Sequence, residues 1–185
     1  MATAFHIRQA AALLRRGGVI VYPTDTIYGL GCDPRNAQAV QRIYRIKQRP
    51  GSKSLILLAA NAGQLDGLVD LSRLPADFAW RDHTPTTWVL PASPRCPHWL
   101  RHRDGTLAAR ITGYPLVQQL CHQLGHAIVS TSANFSGRPP LARKLDLRRV
   151  FGPQVDAILH SDTVGTGKAS TIRHYSDQRI LRASP

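Results

Sequence analysis

The chain has 185 residues, of which 43% are hydrophobic and 19% are charged. That length suits one domain with a sizeable core, and the composition excludes both a disordered chain and a membrane-embedded one. Twenty-four Lys and Arg residues against eleven Asp and Glu residues give a net charge of +13. Such a charge is typical of proteins that bind polyanions such as nucleotides or nucleic acid, and equally of a basic surface that only contacts solvent.

Helical and extended patterns alternate along the first half of the chain. An amphipathic pattern predicts a helix that Gly17-Gly18 ends, and Asn36 is placed to cap a second helix. The apolar run at 55–59 does not alternate, which predicts a central strand covered on both faces. In chain order, the predicted elements are a helix at 5–16, a strand at 19–22, a helix after 36, a strand at 55–59, and helices near 64–69 and 75–81.

The second half has more strands with shorter connections. Pro115 suits the first position of a helix, and Gly152-Pro153 ends another. Several neighbouring strands have connections too short for helical crossovers, which implies a mixed sheet. The predicted elements are strands at 86–90 and 106–111, a helix at 115–124, a strand at 127–130, a helix at 143–151, and short strands at 157–160, 171–174 and 179–181. We therefore predict an α/β fold: a single domain over residues 1–185 with a twisted, mixed parallel and antiparallel sheet flanked by helices.

The first segment that could carry chemistry is 22–31. If it is extended, Thr24, Thr26 and Tyr28 face one side, where two hydroxyls and a phenol can bind a small polar molecule. Its two glycines would let the backbone approach a ligand closely. A tight turn in which Asp25 bonds its own backbone is an equally good interpretation.

The second segment is the basic run around residue 48. Pro50 disfavours a helical Arg49, so the preceding helix should end near residue 47 or 48. If the chain becomes extended there, Lys47 and Arg49 project to one side, with Lys53 close behind, and suit a triphosphate. Alternatively, Arg42, Arg45 and Arg49 have the spacing of one helix face and could be exposed to solvent. Without further context, this second interpretation is slightly favoured.

The third segment, 130–137, follows a predicted strand. Ser132 and Asn134 alternate onto one side of it, at the end of a strand where α/β sheets usually bind ligands. An ordinary Ser/Gly turn is the alternative.

Familiar signatures of other protein classes are missing. The segment 165–168 resembles the end of a P-loop, but Asp162 replaces the leading glycine and Ala169 the Ser or Thr. Three widely spaced cysteines imply no disulfide framework. Cys96 with two nearby histidines lacks the paired spacing of a structural zinc site, so no bound structural metal is expected. With no signal peptide or apolar span in the sequence, we expect a cytoplasmic protein.

Together these segments resemble the YrdC/TsaC family of threonylcarbamoyl-AMP synthases in its short bacterial form. The similarity runs through nearly the whole chain, and the order and spacing of its parts make it specific. It is carried by 23–31, the Lys47/Arg49 pair and the Ser132/Asn134 pair, with support from 87–91, 107–110 and 170–172.

The resemblance implies two sets of site residues. The ATP set is Lys47, Arg49, Lys53, Thr106, Ser132, Asn134, Pro140 and Arg182, with Lys47 and Arg49 expected to be catalytic. The threonine set is Thr24, Thr26, Tyr28, Arg110, Ser130 and Ser170. The chain departs from the family pattern at His83-Thr84-Pro85, where relatives commonly have Pro-Gly-Pro, at Lys53, where many have Asn, and at Ala183, which replaces a glycine.

The activity implied by the resemblance is that of a nucleotidyltransferase. It would join L-threonine, bicarbonate and ATP, the last carrying Mg²⁺, into threonylcarbamoyl-AMP and pyrophosphate. The product would pass to threonylcarbamoyl-transfer proteins that modify adenosine at position 37 of tRNAs to t6A. The charge keeps a rival open, an RNA-binding accessory protein without catalysis.

Overall fold

The computed structural model describes residues 2–49, 55–80, 84–161 and 165–184. In chain order the helices and strands are α1 (Ala4–Arg15), β1 (Ile20–Tyr22), β2 (Gly29–Gly31), α2 (Ala37–Ile46), β3 (Ile56–Ala59), β4 (Thr86–Pro91), β5 (Thr106–Ile111), α3 (Pro115–Leu124), β6 (Ile128–Ser132), α4 (Lys144–Phe151), β7 (Ala157–Ile158), β8 (Thr171–His174) and β9 (Ile180–Arg182). Two short 3-10 turns lie at Ala62–Leu65 and Leu71–Arg73.

The described strands form one sheet in the order β7-β1-β2-β6-β3-β5-β4-β8-β9. The pairs β1–β7, β3–β5 and β4–β8 are parallel, and the other neighbours are antiparallel. This confirms the predicted mixed sheet. It also places β3 at its centre, as the unbroken apolar run at 55–59 predicted.

Helices cover both faces of the sheet because the side chains of each strand alternate between them. Leu57 of β3 packs in the core cluster that contains α2 and α4 residues, whereas Leu58 packs in the cluster built on α1 and α3. Asn36 caps α2, since its Oδ1 accepts a hydrogen bond from the Ala39 N–H at 2.9 Å.

The helix predicted at 75–81 is wrong. A 3-10 turn at Leu71–Arg73 precedes this segment, and the segment itself has a single turn closed by the Phe78 N–H on the Pro75 carbonyl at 3.0 Å. Leu74 before Pro75 is extended, but so is Tyr114 before Pro115, which begins α3, so the proline itself does not account for the missing helix. The apolar residues there serve another purpose: the Phe78 ring packs edge-on against Trp88 with centroids 5.0 Å apart.

The helix predicted at 64–69 is also shorter and tighter than expected. The structure has a 3-10 turn at Ala62–Leu65, capped by Asn61, and Gly67 follows with a left-handed φ of 75°. The strand β2 was not predicted, and elsewhere the boundaries shift by one to a few residues. α3, β5 and β8 match their predicted bounds to the residue.

Gly31 is required by packing within the protein and not by a ligand, contrary to our sequence-based expectation. An added Cβ would lie 2.5 Å from the Val129 carbonyl oxygen and 2.6 Å from the Tyr22 ring. Both contacts are within the buried β1–β2–β6 region, so neither can move away easily.

Replacing Gly31 by Ala should therefore lower the free energy of unfolding by about 1–3 kcal/mol through overpacking. The exposed Gly113 has open space where its Cβ would lie, and Gly113→Ala is the matched control, with an expected change within about 0.5 kcal/mol. Urea unfolding of both variants measures the difference. Equal midpoints would contradict this account of β2.

Candidate active site

A cavity of about 870 Å³ opens on one face of the central sheet. Its floor is apolar: Ala108 of β5 lies in register between Ile56 of β3 and Val89 of β4. Polar groups gather around this floor at three places, which we name the Lys47 corner, the Arg110 corner and the His102 corner.

The Lys47 corner consists of Lys47, Arg49 and the turn at 131–134. Lys47 follows the last residue of α2 and is 2% exposed. Its Nζ donates to the carbonyl oxygens of Ser132 and Asn134, the latter at 2.8 Å, and to Asn134 Oδ1 at 2.9 Å. An ammonium has three protons, so all of them are used to hold the turn.

Backbone contacts tie the same two segments together. The Ser136 N–H donates to the Lys47 carbonyl at 2.9 Å, and Ser132 Oγ donates to Asn134 Oδ1 at 2.6 Å. Arg49 Nη1 donates to Thr131 Oγ1 at 3.1 Å and lines the cavity. These contacts bring together two distant segments whose residues the resemblance placed in one ATP set.

The backbone that brings Lys47 and Arg49 to this turn differs from the extended one that the sequence predicted. The chain does not become extended after α2, because Lys47 is still helical and Gln48 has a left-handed φ of 50°. This reversal turns Arg49 back toward the end of β6. Strand alternation therefore does not explain why both cations meet the same turn.

Burial, with a smaller contribution from the neighbouring Arg49 charge, lowers the pKa of Lys47 to about 8. The ammonium is still mostly protonated at neutral pH. An anion bound in the cavity would favour the charged form and raise this pKa again.

The Arg110 corner lies two residues farther along β5 from Ala108. Arg110 is 5% exposed and pairs with Asp25 at 3.0 Å. Its Nε and Nη1 are buried without a hydrogen-bond partner among the described residues. Burial lowers the pKa of Arg110 while Asp25 opposes that shift, and a guanidinium remains charged in either case. A fixed cation with unused donors suits a carboxylate.

The segment 22–31 supplies hydroxyls to this corner through a turn and not through an extended strand. Thr24 Oγ1 donates to the Ile27 carbonyl at 2.7 Å and lies 2.9 Å from Thr26 Oγ1. The alternative interpretation was right about a turn, but the Asp25 carboxylate pairs with Arg110. Ser170 completes the corner, with Oγ 2.9 Å from Thr87 Oγ1 and its carbonyl bound by Arg182 Nη2 at 2.8 Å.

Of the His102 corner, only Thr106 was predicted, as a member of the ATP set. The corner comprises His102 and Asp104, which line the cavity, and Thr106 beneath them. Thr106 Oγ1 lies 2.7 Å from Asp104 Oδ1 and 3.1 Å from His102 Nδ1. The Asp104-Gly105 turn dipeptide before β5 was the one sequence signal that could have drawn attention to it.

The cavity gathers most of the residues that the resemblance selected. The lining includes Thr24, Thr26, Tyr28, Arg49, Arg110, Ser130, Ser132, Pro140, Ser170 and Arg182. Lys47, Asn134 and Thr106 lie behind the lining, each bonded to a residue in it. Lys53 lies outside the described residues, as does His83 of the divergent 83–85 turn. His174 and Arg179 line the cavity without having been predicted.

Among the residues that the structure describes, no group of three or more His, Cys, Asp or Glu side chains is arranged to hold a metal ion. In the same ranges no helix combines the length and apolarity needed to cross a bilayer.

Comparison with known proteins gives a consistent result. The Sua5/YciO/YrdC family model, described as "Telomere recombination", matches residues 12–184. A Halorhodospira halophila protein named threonylcarbamoyl-AMP synthase is 46% identical over 184 residues, covering 96% of this chain and 94% of its own.

Solved structures agree in fold. P. abyssi Sua5 complexed with L-threonine superposes with a TM-score of 0.89 at 29% identity, and E. coli YciO with a TM-score of 0.84 at 29% identity. Each match covers 98% of this chain, with 90% of YciO but 55% of Sua5, so this chain spans about half the length of Sua5.

Replacing Lys47 by Met should leave buried oxygens of the 132–134 turn without a donor. We expect the free energy of unfolding to fall by about 1–3 kcal/mol. Arg49→Met is the matched control, because Arg49 is half-buried and its loss leaves the Lys47 bonds intact. Urea unfolding should show Lys47→Met as clearly the less stable variant. The reverse order would contradict the structural role of Lys47.

Proposed function

The chain belongs to the Sua5/YciO/YrdC family, and from this premise we propose that it is a threonylcarbamoyl-AMP synthase. It forms threonylcarbamoyl-AMP and pyrophosphate from L-threonine, bicarbonate and ATP. The observation that carries the proposal is one cavity with a cationic phosphate-type corner and a separate carboxylate-type corner on a shared apolar floor.

The sheet sets the distance between the two substrates. Thr106 and Arg110 are four residues apart on β5 and face the same side, so they are separated by about 13 Å. Threonine fits the Arg110 corner, where the guanidinium meets its carboxylate and Thr26 and Ser170 lie nearby. The nucleotide then fits the other end, with its phosphates beside Arg49.

The reaction makes use of these groups without a strong base. The threonine amine takes up CO₂ derived from bicarbonate and gives a carbamate, whose oxygen attacks the α-phosphorus and expels pyrophosphate. The carbamate is already anionic, and the carboxylate of Asp25 is occupied by Arg110. Catalysis therefore rests on positioning and on offsetting phosphate charge, with Mg²⁺ arriving on ATP.

The proposal keeps the two residue sets that the resemblance implied. The ATP residues are Lys47, Arg49, Lys53, Thr106, Ser132, Asn134, Pro140 and Arg182, and the threonine residues are Thr24, Thr26, Tyr28, Arg110, Ser130 and Ser170. Lys47 acts by holding the turn and by its charge, while Arg49 contacts the phosphates. In this proposal residues 1–185 work as one domain in the cytoplasm, and the product passes to proteins that complete t6A on tRNA.

A purely RNA-binding role is not favoured. The basic residues of the family motif, Lys47 and Arg49, lie behind and within the wall of a cavity and do not form an open basic surface. RNA affinity carried by other basic residues would fall steeply with salt and would not depend on threonine or ATP. Measuring that dependence separates the two properties.

The decisive assay incubates purified protein with ATP, labelled bicarbonate and a panel of amino acids. We expect pyrophosphate release that depends on threonine, and Arg49→Met should cost about 2–4 kcal/mol of transition-state stabilisation. Arg8→Met, at an exposed position on α1, is the control and should behave as the wild type. Pyrophosphate release that ignores threonine would sink the proposal.

Nucleotide binding should also depend on pH. The Lys47 pKa of about 8 rises when phosphates bind nearby, so binding takes up protons around pH 8 and affinity falls as the pH increases above it. Calorimetry in buffers of different ionisation enthalpy measures the uptake. In Arg49→Met the uptake should move to higher pH, since the Arg49 charge helps to lower the Lys47 pKa. Uptake at unchanged pH in that variant would contradict the assignment to Lys47.

A further inference from the structure

The loop that presents the His102 corner is fixed by its own hydrogen bonds. The His102 N–H donates to the Thr106 carbonyl at 2.7 Å, and the Gly105 N–H donates to the His102 carbonyl at 3.1 Å. Gly105 adopts a left-handed φ of 78°, and the Thr106 N–H donates to Asp104 Oδ1 at 3.0 Å. The corner is therefore built before any ligand arrives.

The protons in this corner can be assigned. Hydrogen bonds from Thr106 hold the pKa of Asp104 below its usual range, so its carboxylate is ionised and can only accept. The single Thr106 hydroxyl proton goes to Asp104 Oδ1 at 2.7 Å. His102 Nδ1, 3.1 Å from the same hydroxyl oxygen, must then carry a proton and donate it.

This assignment leaves His102 Nε2 as a bare acceptor. Burial lowers the pKa of His102, so the imidazole is neutral and its second nitrogen has no proton. Nε2 is buried and has no hydrogen-bond partner among the described residues, while the ring lines the cavity. A buried acceptor without a partner is costly, and a ligand that donates to it recovers that cost.

The chemistry of the corner decides which part of a ligand it takes. Phosphates and the threonine carboxylate only accept hydrogen bonds, and the ionised Asp104 repels them. On ATP, the donors are the adenine amino group and the ribose hydroxyls. By strand register, Thr106 and Ser132 lie beyond the Ala108–Ile56 pair at the same end of the floor, opposite Arg110. The His102 corner is thus at the nucleotide end.

We propose that His102 is a specificity-determining residue for the nucleoside of ATP, with Nε2 accepting a hydrogen bond from the adenine amino group or a ribose hydroxyl and Asp104 lying beside it. This proposal rests on the proposed function, because it takes the nucleotide to be ATP. It adds a contact that lies outside the motif residues Lys47, Arg49, Ser132 and Asn134.

The test compares direct binding of four nucleotides by calorimetry: ATP, purine riboside triphosphate, 2′-deoxy-ATP and 3′-deoxy-ATP. Wild type should bind one of the three analogues about three- to tenfold more weakly than ATP, the size expected for one neutral hydrogen bond. The analogue affected identifies the donor as the amino group or as one of the hydroxyls.

Variants assign that discrimination to His102. His102→Asn removes the acceptor at the Nε2 position, so it should weaken ATP binding by the same factor and bind the affected analogue as well as ATP. His102→Gln can place an amide oxygen near that position and should restore part of the discrimination. His122→Asn, at an exposed site on α3, is the control and should match wild type.

Two outcomes overturn the proposal: wild type that binds all four nucleotides within twofold, or His102→Asn that keeps the wild-type discrimination. Each is distinguishable from failure of the proposed function. A protein with threonine-dependent pyrophosphate release but no discrimination refutes only the role of His102. A protein that discriminates among the nucleotides but shows no dependence on threonine refutes only the synthase reaction.

Discussion

A buried ammonium group imposes a strict condition on its surroundings, because each of its protons needs an oxygen once water is excluded. Lys47 meets that condition with three oxygens of a turn 85 and more residues away in the chain. The end of α2 and the end of β6 are thereby held in one arrangement. Arg49 reaches Thr131 on the same wall, so the position of the cationic corner depends on this one side chain.

The mixed sheet turns this local arrangement into a site for two ligands. The apolar row of Ile56, Ala108 and Val89 crosses β3, β5 and β4, and on β5 the polar residues Thr106 and Arg110 lie on either side of that row. Cations near the β6 turn and the guanidinium of Arg110 are kept apart by the length of β5. A reaction that joins two anionic substrates needs this separation of charge together with a shared space between them.

Features of the fold that depend on local interactions could be predicted from the sequence, whereas those that depend on contacts between distant residues could not. The bounds of α3, β5 and β8 were predictable because Pro115, the strand alternation and the flanking turn residues are local signals. The prediction of a helix at 75–81 was wrong because its apolar residues pack against the sheet, as Phe78 does against Trp88 of β4, and not along one helix face. No feature of the sequence predicted the left-handed backbone of Gln48, although this conformation orients Arg49 toward the end of β6.

The site followed the same rule. The resemblance selected residues that the fold does gather around one cavity, but it gave no pairings between them. That Asp25 pairs with Arg110, at the far end of the floor from the Lys47 corner, follows only from the tertiary fold. The His102 corner depends on a proton arrangement among three side chains within five residues, which spacing alone does not reveal.

The central claim is that one cavity orients ATP and threonine from opposite ends of a common floor. A crystal structure of the protein with L-threonine and a non-hydrolysable ATP analogue tests it most directly. The account predicts electron density for the threonine carboxylate against Arg110 and for the triphosphate against Arg49, with the amine directed toward the α-phosphorus. Density that places the two ligands in separate cavities, or the triphosphate at Arg110, would contradict it.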